Sequence, residues 1–296
     1  MYVDQPGRKH PFLRRTLLSL LGVLVAFAVI CCFFGQPKDH TDSRTRRSGV
    51  STILLCGTDE EGYRTDTMIL MTLDSREHTV SLLSLPRDTY TSGYSVPKLN
   101  SACGAAGGGE AGMENLMNEV SVLLGFRPDR YAMVNFDVVE KIVDLFGGVT
   151  FNVPMDMDYE DPYQNLYIHL KAGEQKLNGE ESVQLLRFRS GYAMADLERV
   201  NVQRAFVQAA MEQWVNPLLI FRGPAALAAV RKDTTTDLSV GNLIWIARAM
   251  IGCNFADITT NTLPGQPQMI NGGSYFVADQ TATAQMMQEI YSPYID

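Results

Sequence analysis

An uncharged apolar segment near the start of the chain constrains its architecture more than any other feature. Residues 16–34 contain no charged side chain in 19 positions. As a helix rising about 1.5 Å per residue, they just cross a hydrocarbon core of about 30 Å. Arg14 and Arg15 abut the segment, whereas Asp39 and Asp42 lie among the bases that follow it. This asymmetry favours an N-terminus on the inner side of the membrane.

The pattern predicts a cell-membrane protein with one pass and four regions. A cleaved signal peptide is disfavoured, because the A-x-A sequence at 26–28 lies inside the apolar run. We predict a cytoplasmic N-terminus at 1–15, an uncleaved transmembrane signal anchor at 16–34, a polar linker at 35–48 and an extracytoplasmic domain at 49–296.

The net charge of −8 is divided unequally along the chain. Residues 1–48 carry eight Lys and Arg against three Asp and Glu, whereas the other 248 residues carry 17 against 30. An acidic domain of this kind argues against a general nucleic-acid binder, which needs a basic surface. Twelve of its 17 bases are nevertheless arginines, so their positions matter more than the total.

The cysteines and histidines indicate neither a disulfide framework nor a zinc site. Cys31 and Cys32 lie in the apolar segment, which leaves an odd number, three, in the predicted domain. The two histidines of that domain have no metal-ligand spacing to any cysteine.

Alternating strand and helix patterns predict an α/β fold. We expect a three-layer α/β/α domain with a mixed central sheet, because the first hairpin is antiparallel and later crossovers are helical. Strands are predicted at 51–56, 67–73, 79–85, 131–134, 149–153, 166–170, 258–263 and 275–277. Helices are predicted at 111–124, from a cap at Asp137 to 146, from 178 towards 186, at 196–214, near 224–230, at 238–251 and after Asp279.

Charged residues concentrate at the ends of the first three predicted strands. Because the second and third strands form a hairpin, the start of one lies beside the end of the other, so Asp66 and Arg87 should be neighbours. Strand ends are where α/β sheets form ligand sites. The residues concerned are Asp59, Arg64, Asp66, Arg87 and Asp88.

A second charged group follows later in the chain. Arg187 and Arg189 precede a predicted helix on which Asp196, Arg199 and Gln203 share one face. Surface ion pairs also produce this spacing. Guanidinium groups bind phosphate bidentately, and paired carboxylates suit a divalent cation such as Mg²⁺. Glycines 107–109 before a helix are read as a loop rather than as an anion cradle.

In these residues the sequence resembles the LytR-CpsA-Psr family. The resemblance covers about residues 51–210. It is carried by GTD at 57–59, RTDTM at 64–68, SLPRDTY at 84–90, KLNSA at 98–102, VDLFGGV at 143–149, YED at 159–161, NLYI at 165–168, GEQKLNG at 173–179 and RFR at 187–189 with Asp196, Arg199 and Gln203.

The resemblance implies an extracytoplasmic, membrane-anchored phosphotransferase. Such an enzyme moves a glycopolymer, of teichoic acid or capsular polysaccharide type, from a polyprenyl-pyrophosphate carrier to peptidoglycan through a phosphodiester. By position, Asp59 and Asp66 would hold Mg²⁺, and Asp66 or Asp88 would help to activate the acceptor hydroxyl. The arginines that would clamp the pyrophosphate are Arg64, Arg87, Arg187, Arg189 and Arg199, supported by Gln203 and by Asp196 on the same helix face.

The sequence departs from the family pattern at three places, and two other functions are also compatible with it. The loop from Asp59 to Asp66 is short, Cys103 stands where an aromatic residue is common, and Val202 where a base is frequent. The alternatives are a polyprenyl-pyrophosphate hydrolase and a non-catalytic lipid-binding envelope protein.

Overall fold

The computed structural model describes residues 35–38, 43–58, 63–164, 166–188, 195–214, 233–254 and 257–295. The predicted cytoplasmic segment at 1–15, the anchor at 16–34 and the predicted helix near 224–230 lie outside these ranges. Among the residues that are described, no helix is both long and apolar enough to cross a membrane.

The described elements alternate between strands and helices. The strands are β1 (Val50–Thr58), β2 (Thr65–Asp74), β3 (Thr79–Ser84), β4 (Arg130–Val134), β5 (Val149–Val153), β6 (Met157–Asp161), β7 (Leu166–Leu170), β8 (Gly173–Leu177), β9 (Thr235–Thr236), β10 (Thr259–Thr262), β11 (Gly265–Ile270) and β12 (Gly273–Ala278). The helices are α1 (Ser101–Ala105), α2 (Gly109–Leu124), α3 (Phe136–Phe146), α4 (Gly179–Arg187), α5 (Ala195–Trp214), α6 (Val240–Met250) and α7 (Gln280–Met286), which continues as a wider turn to Tyr291.

Within the described residues the central sheet has six strands in the order β10-β3-β2-β1-β4-β9. The β1–β2, β2–β3 and β4–β9 pairs are antiparallel, whereas β1–β4 and β10–β3 are parallel. The predicted mixed sheet is therefore confirmed. Pairs β5–β8, β6–β7 and β11–β12 form separate two-stranded sheets.

Helices cover both faces of the central sheet. One face packs against α2, whose residues Met113, Leu116, Met117 and Val120 are fully buried on the predicted stripe. The other face packs against α6 through Trp245 and its neighbours. Two-sided burial explains why β1 to β3 are almost continuously apolar. The flanking helices expected of an α/β fold are therefore present.

Most predicted elements occur within a few residues of their expected bounds, with two differences. Asn135 rather than Asp137 caps α3, because its side chain accepts the backbone N–H of Val138 at 3.0 Å. This leaves Asp137 inside the first turn, where its charge favours the helix N-terminus. Strands β6, β8 and β11 were not predicted, since their polar, exposed residues give no apolar alternation. The two-residue strand β9 and the five-residue helix α1 were also not predicted, because they are too short to show a period.

Cys103 fits its position because space there is restricted. The residue is fully buried, and a Cβ on Gly112 of α2 would lie 2.7 Å from its sulfur. An aromatic ring at 103 would need the same space. Burial, and to a smaller extent the nearby Cys103, raise the pKa of the Cys56 thiol, so both groups behave as small apolar side chains. Within the described ranges, none of the three cysteines forms a disulfide bond.

Residues near 45 and near 295 lie together and are held by an ion pair between Arg46 and Asp129, an arrangement that we call the clasp. Arg46 forms an ion pair with Asp129, whose side chain is fully buried and also accepts the Thr52 backbone N–H at 2.7 Å. The Arg46 guanidinium lies over the Tyr294 ring, and the Ile295 N–H donates to a carbonyl only one residue before Arg46. Described residues of the predicted linker thus pack against the domain.

We expect Arg46→Met to lower the free energy of unfolding by roughly 3 kcal/mol, because it leaves the Asp129 carboxylate buried without its cation. Chemical denaturation of the purified protein measures the change. In the matched control Arg127→Met, the lost partner Glu114 is 57% exposed, so the expected cost is about 1 kcal/mol or less. Equal losses in the two variants would contradict this account of the clasp.

Candidate functional site

The candidate site is centred on an ion pair between the RTDTM motif at 64–68 and the SLPRDTY motif at 84–90. Arg87 Nη1 lies 2.8 Å from Asp66 Oδ1, and both side chains are about one-third exposed. Their proximity follows from the antiparallel pairing of Ile69 with Ser84, because continuing this register by three residues sets Asp66 opposite Arg87. The predicted neighbourhood is confirmed.

A second ion pair adjoins the first. Lys98 Nζ donates to Asp88 Oδ1 at 2.8 Å and lies 5.6 Å from the centre of the Tyr275 ring. The other carboxylate oxygen of Asp88 lies 3.9 Å from Arg87 Nε. Two acidic and two basic side chains therefore alternate along this edge of the sheet. Sequence reasoning did not assign Lys98 to the site, although it begins the KLNSA motif.

Gln203 joins helix α5 to this edge. Its side-chain oxygen accepts the Thr67 hydroxyl at 3.3 Å, and its side-chain nitrogen donates to the Leu186 carbonyl at 3.2 Å. The contact brings the end of α4 and the start of β2 to the same helix. Gln203 thus connects the two groups of charged residues that were separate in the sequence.

A cavity of about 400 Å³ opens beside these residues. One part of its wall is polar and contains Asp66, Arg87, Asp88 and Gln203. The apolar part is contributed by Met68, Ile69, Leu85, Pro86, Pro267 and Phe276, and the remaining lining residues are Thr67, Ser84, Arg204, Thr262, Ser274 and Tyr275. A volume in this range suits a small ligand or part of a larger one, and the wall suits a ligand with a charged group on an apolar chain.

The β11–β12 hairpin supplies part of this wall, although no residue of its region was predicted to have a role in the site. Backbone bonds fix the hairpin to the site: Tyr90 N–H donates to the Phe276 carbonyl at 2.8 Å and Phe276 N–H to the Asp88 carbonyl at 2.9 Å. Its turn is Asn271-Gly272, both with positive φ, the strongest short-range hairpin signal. That dipeptide was the signal available to predict β11.

The other predicted site residues either do not line the cavity or have side chains that the structure does not describe. Arg64 precedes β2 and is exposed, and it does not line the cavity. Arg187 ends α4 with its guanidinium 5.5 Å from the centre of the Phe136 ring, directly after the residue that Gln203 contacts. Asp59 and Arg189 lie outside the described residues. For Asp196 and Arg199 only the backbone, within α5, is described.

Comparison with known proteins now places the chain. Residues 35–291 match the LytR_cpsA_psr family. The chain belongs to the LytR_cpsA_psr family. The match begins at the first described residue and includes the β11–β12 hairpin, so it extends beyond the 51–210 region in which the motifs carried the resemblance.

Related proteins agree with this assignment. The chain is 28% identical over 310 residues to the polyisoprenyl-teichoic acid–peptidoglycan teichoic acid transferase TagU of Bacillus subtilis (strain 168), covering 97% of both chains. The crystal structure of B. subtilis TagV has the same fold, with a TM-score of 0.70, 24% identity, and coverage of 82% of this chain and 97% of that one. TagT bound to LI-WTA is also similar, with a TM-score of 0.67, 21% identity, and coverage of 87% of this chain and 96% of that one.

The magnesium site implied by the LytR_cpsA_psr resemblance can be tested against the donors present. Within the described ranges no three His, Cys, Asp or Glu side chains are grouped to hold a metal. Asp66 does place a carboxylate in the cavity wall, and Mg²⁺ is commonly held by one or two carboxylates together with phosphate oxygens of the substrate. Asp66 therefore fits as one ligand, with Asp59 as the second predicted one.

We expect Gln203→Ala to lower the free energy of unfolding by about 1–2 kcal/mol, because two hydrogen bonds between elements are lost. Thermal or chemical denaturation measures it. Gln208→Ala is the matched control on the same helix, because one contact of the Gln208 side chain is a hydrogen bond to Glu212, one helical turn later. For this variant we expect a change of about 0.5 kcal/mol or less in the free energy of unfolding. A smaller effect at Gln203 than at Gln208 would show that Gln203 does not join α5 to the sheet.

Proposed function

We propose that this protein transfers a glycopolymer of teichoic acid or capsular type from a polyprenyl-pyrophosphate carrier to peptidoglycan, forming a phosphodiester. The observation that carries the proposal is the cavity in which the Asp66–Arg87 pair adjoins an apolar wall. Two further findings support it. The chain belongs to the LytR_cpsA_psr family, and it matches a protein named as a teichoic acid transferase, TagU, over 97% of both chains.

The two parts of the wall correspond to the two parts of such a donor. Arg87 presents a planar guanidinium that stays charged at physiological pH and matches phosphate oxygens. Met68, Leu85 and Phe276 present apolar surface for the carrier chain, whose burial is favourable in proportion to the apolar area removed from water. Predicted contacts from Arg64, Arg187, Arg189, Arg199, Asp196 and Gln203 would add to the phosphate side.

The reaction follows from these contacts. The acceptor hydroxyl oxygen bonds to the phosphorus that bears the glycopolymer, the bond from that phosphorus to the bridging oxygen breaks, and polyprenyl phosphate leaves. The hydroxyl proton passes to a carboxylate, and Asp66 and Asp88 are the two in the cavity wall. Arg87 stabilises the negative charge that develops on the bridging and equatorial oxygens.

Asp59 and Asp66 would hold Mg²⁺ in the proposed enzyme. When bound there, the ion would neutralise pyrophosphate charge. The ion pair at 2.8 Å orients the Asp66 carboxylate, so Arg87 has a positioning role as well as a direct one.

The proposal places the site on the outer side of the cell membrane. It is supported by the apolar segment at 16–34, with bases directly before it. Gln36, two residues after this segment, donates to the Val50 carbonyl at 3.0 Å, so the domain would begin immediately beyond the anchor. A lipid-linked donor resides in the same membrane.

We expect Arg87→Ala to lower the transfer rate by about 10²- to 10³-fold, the range found when one preorganised charge-stabilising donor is removed. The measurement is transfer of labelled lipid-linked polymer to peptidoglycan by the full chain. Arg127→Ala is the matched control, because Arg127 pairs with Glu114 and does not line the cavity. Wild-type activity in a folded Arg87→Ala protein would remove the site assignment.

We expect transfer to stop on removal of divalent cations and to return with Mg²⁺. In Asp66→Asn, one ligand and the partner of Arg87 are lost, so the Mg²⁺ concentration for half-maximal rate should rise at least about tenfold. Rates over a Mg²⁺ series measure it. Full activity in the presence of a chelator would exclude the metal from the proposal while leaving the arginine site in place.

The dependence of the reaction on peptidoglycan, the acceptor, distinguishes transfer from the two alternative functions. Purified full chain is incubated with lipid-linked polymer, with and without peptidoglycan. A transferase releases polyprenyl phosphate only when peptidoglycan is present and joins polymer to it. Release without peptidoglycan would identify a hydrolase, and binding without release in either case would identify a non-catalytic lipid-binding protein.

A further inference from the structure

A second cavity lies at the point where the chain enters the domain. Its volume is about 420 Å³, and its wall includes Gln36, Ser48, Arg76, His78, Trp245 and Arg248. None of these belongs to the site described above. Two arginines and a histidine face it, and none of the lining side chains in the described part of the chain is acidic.

In the part of the chain that the structure describes, no carboxylate neutralises the two guanidinium groups. Among the described residues, no Asp or Glu oxygen lies within 4.0 Å of either the Arg76 or the Arg248 guanidinium. Arg76 Nη2 donates to the Ser48 hydroxyl at 2.8 Å, which holds the guanidinium at the cavity. The nearby Asp74 carboxylate accepts backbone N–H groups and pairs with Arg47 instead. Like charges around one cavity favour a bound anion.

The cavity is close to the end of the apolar segment. Gln36 lines it and follows Phe34 by two residues, so the two Cα atoms are at most about 7.6 Å apart at 3.8 Å per residue. The chain is fixed here, because Asn242 donates to the Gly35 carbonyl at 2.6 Å and Ser51 to the Pro37 carbonyl at 2.7 Å. If residues 16–34 span the membrane as proposed above, this cavity lies at the level of the lipid head groups.

We propose that this cavity binds the phosphate group of an anionic phospholipid from the membrane in which the chain is anchored. Arg76 and Arg248 hold the phosphate oxygens, and the largely buried Trp245 forms part of the wall beside them. Bound lipid would fix the orientation of an otherwise acidic domain against the bilayer. The inference rests on the proposed anchor and is independent of the transfer reaction.

The chain offers a direct optical test, because it has two tryptophans and only Trp245 lines the cavity. In Trp214→Phe, which keeps an aromatic ring stacked on Phe146, Trp245 is the single reporter. The full chain in this background is placed in phosphatidylcholine nanodiscs containing increasing fractions of phosphatidylglycerol. We expect Trp245 emission to change and saturate. A further arm adds inorganic phosphate to discs of phosphatidylcholine alone.

Arg248→Gln should raise the phosphatidylglycerol fraction for half-saturation about tenfold, because a charge-assisted contact is lost. Arg248→Lys should retain part of the binding, and Arg127→Gln should retain all of it. Three outcomes would each overturn the proposal. They are the same binding curve in Arg248→Gln and Arg127→Gln, no change in Trp245 emission, and a change with inorganic phosphate but none with phosphatidylglycerol. Absence of the chain from the discs would refute the anchor itself, and the activity of the Arg87 site is measured separately.

Discussion

The register of the β2–β3 hairpin is the constraint on which the candidate site depends. Both strands are buried on two faces, with Leu70 and Leu83 completely inaccessible. A slip of one residue would turn every side chain to the opposite face of the sheet, so the core determines the pairing. Because the register continues past the strand ends, the same apolar packing brings the Asp66 carboxylate to the Arg87 guanidinium. The chemistry at the edge is thus fixed by residues that take no part in it.

The cavity beside that ion pair draws its wall from parts of the chain far apart in sequence. Strands β2 and β3 provide one side, α5 contributes Gln203, and the β11–β12 hairpin closes the apolar part with Phe276. The clasp between Arg46 and Asp129 and the pairing of residues near 45 and 295 close the domain on itself. The family match over 35–291 covers every residue of the cavity wall, as expected of a site that needs most of the domain.

Local sequence patterns were sufficient to predict the elements and contacts that depend on local interactions. Apolar runs predicted β1 to β3, a single stripe predicted α2, and hairpin geometry predicted the contact of Asp66 with Arg87. Long-range packing decided the rest. Nothing near Lys98 indicated that it would meet Asp88 and Tyr275. The polar residues of β11 give no strand pattern, and the strand forms by pairing with β12, which backbone bonds from Phe276 hold to Tyr90 and Asp88. Asp59, Arg189 and the side chains of Asp196 and Arg199 remain predictions.

The central claim is that the cavity beside Arg87 holds the carrier lipid, with its pyrophosphate at the polar wall and its chain on the apolar one. A structure of the full chain with a bound polyprenyl diphosphate tests this most directly. The account predicts diphosphate oxygens within hydrogen-bonding distance of the Arg87 guanidinium and the first isoprene units against Phe276. A diphosphate bound away from Arg87, or a chain that leaves the Phe276 wall in contact with water, would contradict it.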